Sequence, residues 1–234
     1  MKPLLVLAAF PVVLMGWASC SHSGTGHAAL PDPRAVDKSV PEYKNPFHPS
    51  TYAHFVARKD YRKTYDVYKD DTLLNRQPKK SRKIFVCLDE QRGQYLVDGL
   101  VAMDFPLSSG VKAYPTKTGD YAVISKKEDH TSNLYGKMYD AEGKCINYNA
   151  ESTDPVPEGG RFDGSPMPYW QRLTNAGLGL HVGKVRRHPV SHGCVRLPRN
   201  VAEILYRQTS IGTPVTIRKT PLPVPEAQKV PAVQ

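Results

Sequence analysis

Apolar and polar positions follow different periods in different parts of this chain. Leu4 to Trp17 is apolar without a charge and is broken only by Pro11. From Tyr52 to Lys80 the apolar residues Phe55, Tyr61, Tyr65, Tyr68 and Leu73-Leu74 recur at helical spacing among lysines and arginines. That pattern predicts one or two short amphipathic helices packed on a main domain. The basic run Lys79 to Lys83 closes this part as a solvated stretch. At Ile84 the period shortens to that of strands. Ile84–Leu88 and Gln94–Val97 flank the turn residues Glu90 to Gly93, and Leu100–Phe105 follows Asp98-Gly99, a second hairpin signal. Tyr121–Ser125 is another β-rich run. Residues 126–169 carry many turn formers and little periodicity, which predicts a long functional loop or lid. Leu178–Val182 reads as a short strand. Asn200 with Glu203 three residues on resembles a capping box opening a helix through Gln208. Gly212 ends that unit, and Pro214–Ile217 forms a last strand. The expected architecture is therefore mainly β, one domain with short peripheral helices over residues 83–218. A helical segment covers 51–82, a flexible Ser/Gly/His/Pro tether covers 21–50, and a disordered tail with four prolines covers 219–234.

The first twenty residues change the compartment. Lys2 and the apolar run, too short to span a bilayer comfortably, read as an export signal rather than a membrane helix. The run ends in Gly16-Trp17-Ala18-Ser19-Cys20. Small residues before a cysteine resemble a bacterial lipobox, with Trp17 where leucine is usual, so Cys20 is the expected acylation site of a membrane-anchored, periplasmic or cell-envelope protein. Outside the cytoplasm thiols tend to oxidise. Of the four cysteines, removing Cys20 leaves Cys87, Cys145 and Cys194. A Cys87–Cys145 bridge would leave Cys194 free, although Cys87 in the apolar run Ile84–Leu88 also reads as plain core. The formal charge of +10 suits anionic lipid or a carboxylate-rich polymer, and export argues against nucleic acid as a partner.

The densest chemistry lies in Ser191-His192-Gly193-Cys194-Val195-Arg196-Leu197-Pro198, with His181 upstream in Gly177-Leu178-Gly179-Leu180-His181-Val182-Gly183. A thiol nucleophile needs a base for its proton, and a neighbouring glycine lets backbone N–H groups approach a reacting carbonyl. Three other readings compete: Cys194 as inert packing, a disulfide, or a zinc site from His181, His188, His192 and Cys194. The spacing of that last set lacks the paired short intervals of zinc sites. Cys194 lies several residues before the predicted helix, so a helix dipole gives its thiol little help. An imidazolium from His181 or His192 is the expected partner.

These residues carry a resemblance to the L,D-transpeptidase catalytic domain (YkuD domain) family, over residues 84–218. The segment Ser191–Pro198 with the upstream Leu180-His181 is similar to that family's signature. Pro115 to Tyr121 resembles its strand-opening motif. Asp129–Gly136 and Gly164–Trp170 are similar to members with a long loop over the site. The resemblance implies a β-sandwich-like fold, no cofactor and no metal. It implies that Cys194 attacks the carbonyl at the L-centre of the third residue of a peptidoglycan tetrapeptide stem and passes the acyl group to an amine. The product is a 3–3 crosslink or an attached wall protein. His181 is then the base, held by the backbone carbonyl of Val182. The backbone N–H groups of His192, Gly193 and Cys194 form an oxyanion hole, with Ser191, His192 and Gly193 shaping the turn. Arg196 either binds a stem carboxylate or braces the turn. Met167, Tyr169 and Trp170 either wall the groove or are core. The basic loop Lys184–His188 replaces the family's usual Gly, Tyr, Pro and Ala and is either a carboxylate attractor favouring the thiolate or a solvated surface. Two alternatives remain: an L,D-carboxypeptidase or endopeptidase in which water replaces the amine, and a non-catalytic or metal-binding wall-attachment lipoprotein.

Overall fold

The computed structural model describes residues 29–77 and 81–232. The apolar leader and the lipidation candidate Cys20 lie outside them, as do residues 78–80 of the basic run. Among the described residues no helix is long and apolar enough to cross a membrane.

Helix α1 (Tyr52–Ala57) is capped by Thr51, whose Oγ1 accepts the His54 N–H at 3.2 Å. The helical period fails beyond it. A turn-rich stretch leads into strand β1 (Tyr68–Lys69), and α2 (Asp71–Asn75) is a separate short helix started by Asp70, whose Oδ1 accepts the Leu73 N–H at 3.0 Å. The aromatics that suggested one helical face instead cluster: Tyr68 lies 5.2 Å from Tyr52 and 5.8 Å from Phe55 between ring centroids. Tyr65 faces solvent.

Strands β2 (Arg82–Cys87), β3 (Arg92–Val97) and β4 (Leu100–Pro106) form the predicted meander. Val97 pairs with Leu100 across a two-residue turn in which Asp98 and Gly99 take φ of 51° and 81°. That left-handed pair matches the twist of a hairpin and suits the Asp-Gly sequence. Strands β5 (Gly119–Ala122) and β6 (Ser125–Lys127) follow. The stretch expected to be a loop is instead a three-stranded sheet of β7 (Thr131–Tyr139), β8 (Cys145–Glu151) and β9 (Arg161–Pro166), with β7 in the middle. Register shifts around Gly136, Met138 and Tyr139 break its alternation, so no period survives in the sequence. Gly164 is required there, because a Cβ would lie 2.0 Å from Ser132 O.

Strands β10 (Trp170–Arg172), β11 (Gly179–Val182) and β12 (Val195–Leu197) join β6 in a second sheet, ordered β12-β11-β10-β6. Helix α3 (Arg199–Gln208) buries Val201, Ala202 and Leu205. It begins after Pro198 without a side-chain cap, so the expected Asn200/Glu203 capping box does not form. Proline at that boundary already sets the turn, and Glu203 pairs with Arg207 instead. Strand β13 (Pro214–Arg218) runs parallel to β2 and completes a six-stranded sheet, β1-β4-β3-β2-β13-β5. The two larger sheets and α3 share one core, with Ile84, Val86, Phe105, Leu180, Leu197 and Leu205 fully buried. The architecture is mainly β and sandwich-like, as the sequence implied.

The tether and the tail need correction. From residue 29 onward the N-terminal segment is docked: Phe47 is fully buried, and Tyr43 Oη donates to Ala57 O at 2.8 Å. The tail is docked too. Val224 is buried, a 3-10 turn spans Glu226–Gln228, and the Gln228 amide donates to Val101 O and accepts Val101 N–H, both at 2.9 Å. Phe47 and Pro231 form a β-bridge, so the two ends meet. Each contributes isolated apolar residues, and only the outer face of the six-stranded sheet gives them somewhere to go. Beneath them Asp104, fully buried, accepts from Arg92, from Tyr52 Oη (2.7 Å), Tyr61 Oη (2.9 Å) and Gln94 Nε2 (3.3 Å). A buried charge so fully hydrogen-bonded is tolerated, and removing one partner would strand the other.

Candidate active site

The parallel pair β11/β12 sets Leu180 opposite Val195 and His181 opposite Arg196. Cys194 therefore ends the turn that feeds β12, level with the start of β11, and its thiol donates to Gly177 O at 3.3 Å. The turn is held tightly. Gly193 takes φ of 109°, a conformation glycine adopts at little cost. Ser191 Oγ donates to Cys194 O at 2.5 Å and accepts Gly193 N–H at 3.2 Å. From the other side Thr116 Oγ1 donates to Gly193 O at 2.6 Å and accepts Gly110 N–H at 2.8 Å. A Cβ at Gly110 would meet Tyr114 O at 2.1 Å, so a side chain there would dislodge the turn. Thr116 sits in the motif Pro115–Tyr121, and its service to the Cys194 turn was not legible from sequence. Of the three N–H groups expected to face an oxyanion, that of Gly193 is taken by Ser191. Those of His192 and Cys194 have no acceptor among the described residues.

His181 is 6% exposed, and its Nδ1–H donates to Val182 O at 2.7 Å. That bond fixes the neutral tautomer with Nε2 unprotonated. Burial, offset in part by the Val182 carbonyl, lowers the imidazole to about 4. The same burial raises the Cys194 thiol, against smaller opposing effects from the Gly179 N–H and the Arg196 and Arg172 charges. Both shifts favour a neutral thiol beside a neutral imidazole. Burial works against the expected thiolate–imidazolium partnership, since no carboxylate among the described lining residues is there to hold the imidazolium.

Cys194, His181, Ser191, His192, Gly193, Arg196, Met167 and Trp170 all line one cavity of about 1080 Å3. Its roof is the underside of the three-stranded sheet. His192 points out of the turn rather than supporting it: its exposed ring stacks on Tyr135 (4.4 Å, 21°) and lies 4.8 Å from Tyr114, joining the turn to the roof. Trp170 is buried beside His181, ring centroids 6.0 Å apart, with its Nε1 unpartnered and His130 stacked on it at 5.1 Å. Tyr169 is not part of the wall. It takes φ of 55° and packs on Tyr206 at 5.6 Å beside the core.

The basic loop divides its residues. Lys184 lines the cavity. Arg187 turns away, donating to Thr64 O (2.6 Å), Glu90 O (2.9 Å) and Tyr61 O (3.4 Å), and so ties the loop to the docked N-terminal segment. Sequence reasoning missed Arg172 on the cavity, because nothing local distinguishes it, and it gave His130 and Tyr135 only as part of the Asp129–Gly136 segment, with no role of their own. Cys87 and Cys145 are free thiols and do not bridge. Cys87 is buried, with its thiol donating to Lys219 O at 3.1 Å. Among the described residues no three His, Cys, Asp or Glu side chains are grouped to hold a metal, so His181, His188, His192 and Cys194 do not make the zinc set considered above.

Residues 81–217, more than half of the chain, match the family described as the L,D-transpeptidase catalytic domain (YkuD). The chain belongs to that family. L,D-transpeptidases are also what it resembles elsewhere. Over 121 residues it is 31% identical to a protein of Mycobacterium tuberculosis named probable L,D-transpeptidase 3, a match covering 49% of this chain and 38% of that protein. The chain thus spans about two-fifths of that relative's length. Among solved structures, an L,D-transpeptidase from Mycobacterium smegmatis aligns at 21% identity with a TM-score of 0.46, over 59% of this chain and 58% of that one. One from Stackebrandtia nassauensis aligns at 22% identity with a TM-score of 0.44, over 71% and 65%.

Proposed function

We propose that this L,D-transpeptidase-family protein carries out acyl transfer on peptidoglycan stem peptides with Cys194 as nucleophile and His181 as base. The observation that carries this is the His181 Nδ1–H bond to Val182 O, which leaves an unprotonated Nε2 in the same cavity as the thiol. The thiol leaves Gly177 O and gives its proton to His181 Nε2 as sulfur adds to the carbonyl of the third stem residue. The resulting oxyanion takes the His192 and Cys194 N–H groups, donors of a kind typically worth ~3 kcal/mol each. The C–N bond then breaks. The released D-alanine takes the proton from His181, leaving a thioester on Cys194. An acceptor amine next gives a proton to His181, attacks the thioester, and returns the thiol. A cavity of about 1080 Å3 is large enough to take a peptide stem at Cys194.

The test is the mass of the products. Purified protein given a tetrapeptide-stem muropeptide should release D-alanine and form a dimer linked between third residues. A tripeptide alone would make it a carboxypeptidase. A dimer with a protein lysine would make it a wall-protein ligase.

We further propose that the protein works in the envelope, anchored by lipid at Cys20. The apolar leader and the Ala18-Ser19-Cys20 sequence support this. Labelled palmitate should enter the wild-type protein and not Cys20→Ala. A soluble, unlabelled wild type overturns the anchor and leaves the chemistry intact.

A further inference from the structure

The cavity around Cys194 is charged with one sign only. Lys117, Arg172, Lys184 and Arg196 line it, and none of its described lining residues is aspartate or glutamate. Two of these cations stand close to the reacting groups. Arg196 is the register partner of His181, and its aliphatic stem lies across Gly183, where a Cβ would come within 2.8 Å of its Cγ and Cδ. Arg172 extends from β10 over the face of Trp170, 5.7 Å from the ring centroid, and Trp170 in turn lies beside His181. Both arginines are half-buried. Neither forms a side-chain hydrogen bond or an ion pair among the described residues. This decides what Arg196 does: it does not brace the turn, which Ser191 and Thr116 already hold.

Half-buried arginines without a counter-ion, in a cavity whose described lining holds no carboxylate, are matched to an anionic ligand. The proposed chemistry says where the anion lies. His181 delivers a proton to the departing nitrogen, and in a C-terminal amino acid the carboxylate is two bonds from that nitrogen. It must therefore sit beside His181, on the sheet face that carries Arg196 opposite His181 and Arg172 opposite Gly179. We infer that Arg172 and Arg196 form a carboxylate clamp that reads the free α-carboxylate of the residue being released. The clamp would make the enzyme exo-acting on its donor: stems ending in a free acid are used, and stems amidated or extended at that point are rejected. The inference rests on Cys194 being the nucleophile proposed above.

Two measurements separate the clamp from that reading. In the first, Cys194 is alkylated by iodoacetate and by iodoacetamide, each thiolate displacing iodide. The two rates share the same thiolate fraction, so their ratio, referred to glutathione at the same pH and salt, reports attraction of a carboxylate alone. Wild type should favour iodoacetate ~10-fold or more over the glutathione ratio, the scale of a hydrogen bond to a charged group. Added salt should shrink that preference. Arg172→Gln and Arg196→Gln should each bring the ratio down and the double variant to that of glutathione. Arg172→Lys and Arg196→Lys, which keep the charge, should retain most of it. A wild-type ratio equal to that of glutathione, or one unmoved by both glutamine variants, overturns the clamp. In the second measurement, a tetrapeptide donor and its C-terminal carboxamide are compared by kcat/KM for thioester formation, read as protein mass. The free acid should win ~10–100-fold, and the glutamine variants should close the gap by losing the acid and sparing the amide. Equal use of both peptides by wild type overturns the clamp while leaving the transferase. No thioester from either peptide, with the iodoacetate preference intact, overturns the transferase while leaving an anion site beside a reactive thiol.

Discussion

Cys194→Ala is expected to fold normally and to lose all stem-peptide exchange and crosslinking, the largest effect of any single change in the chain. Folding should survive because the thiol makes only weak hydrogen bonds, with Gly177 O and the Gly179 N–H, and faces a cavity rather than the packed core. Chemistry should not survive, because neither of the other described thiols can substitute. Cys87 is buried with its thiol pushed up to about 11, and Cys145 is not on the cavity. Cys87→Ala and Cys145→Ala should accordingly leave turnover largely intact. A carbapenem presents a strained carbonyl to the same sulfur, so wild-type protein should gain the mass of one adduct and Cys194→Ala none. An adduct that persists in Cys194→Ala places the nucleophile elsewhere.

The second large effect is expected at His181. His181→Ala should lower turnover ~10²–10⁴-fold, the usual worth of general-base assistance. The pH profile carries the sharper expectation. Burial holds the His181 imidazole near 4, so Nε2 is free to accept a proton at any higher pH. As pH falls through about 4 the ring protonates and kcat/KM should fall with it. Between pH 5 and 7, where an unperturbed histidine would titrate, the profile should be flat on the acid side. The raised thiol works in the same direction, since a thiol that stays protonated near neutral pH needs a base in every turnover. An acid limb centred near 6.5 would show an imidazole far more exposed to water than this one.

Much of this was readable one residue at a time. Both hairpins of the first sheet announced themselves because Asp98-Gly99 and the turn before Gly93 are local chemistry, decided within four residues. The strand carrying His181 and the turn carrying Cys194 were likewise legible, since glycine spacing and the Ser-His-Gly-Cys segment are contiguous. The roof sheet was not. Its register shifts destroy alternation, and two of its strands are paired across a long stretch of chain, Thr131 against Pro166 for one. The tether and tail were misread for a related reason: Phe47 and Val224 look like lone apolar residues until the outer sheet face and Val101 cover them. Tyr169 and Trp170 were indistinguishable as neighbours, and only packing sends one to Tyr206 and the other to His181.

The sequence by itself determined the family, the mainly β character and the two residues on which the proposed chemistry turns, because short-range geometry and a compact motif encode all three. The tertiary structure alone decided the state and company of those residues. It buried His181 and Cys194 together, which favours the neutral form of each. It sent Arg187 to the carbonyls of Thr64 and Glu90, while leaving Arg172 and Arg196 unpaired on the cavity. Desolvation and charge pairing depend on which distant segments come to lie around a group, and that is settled only when the sheets close on one another.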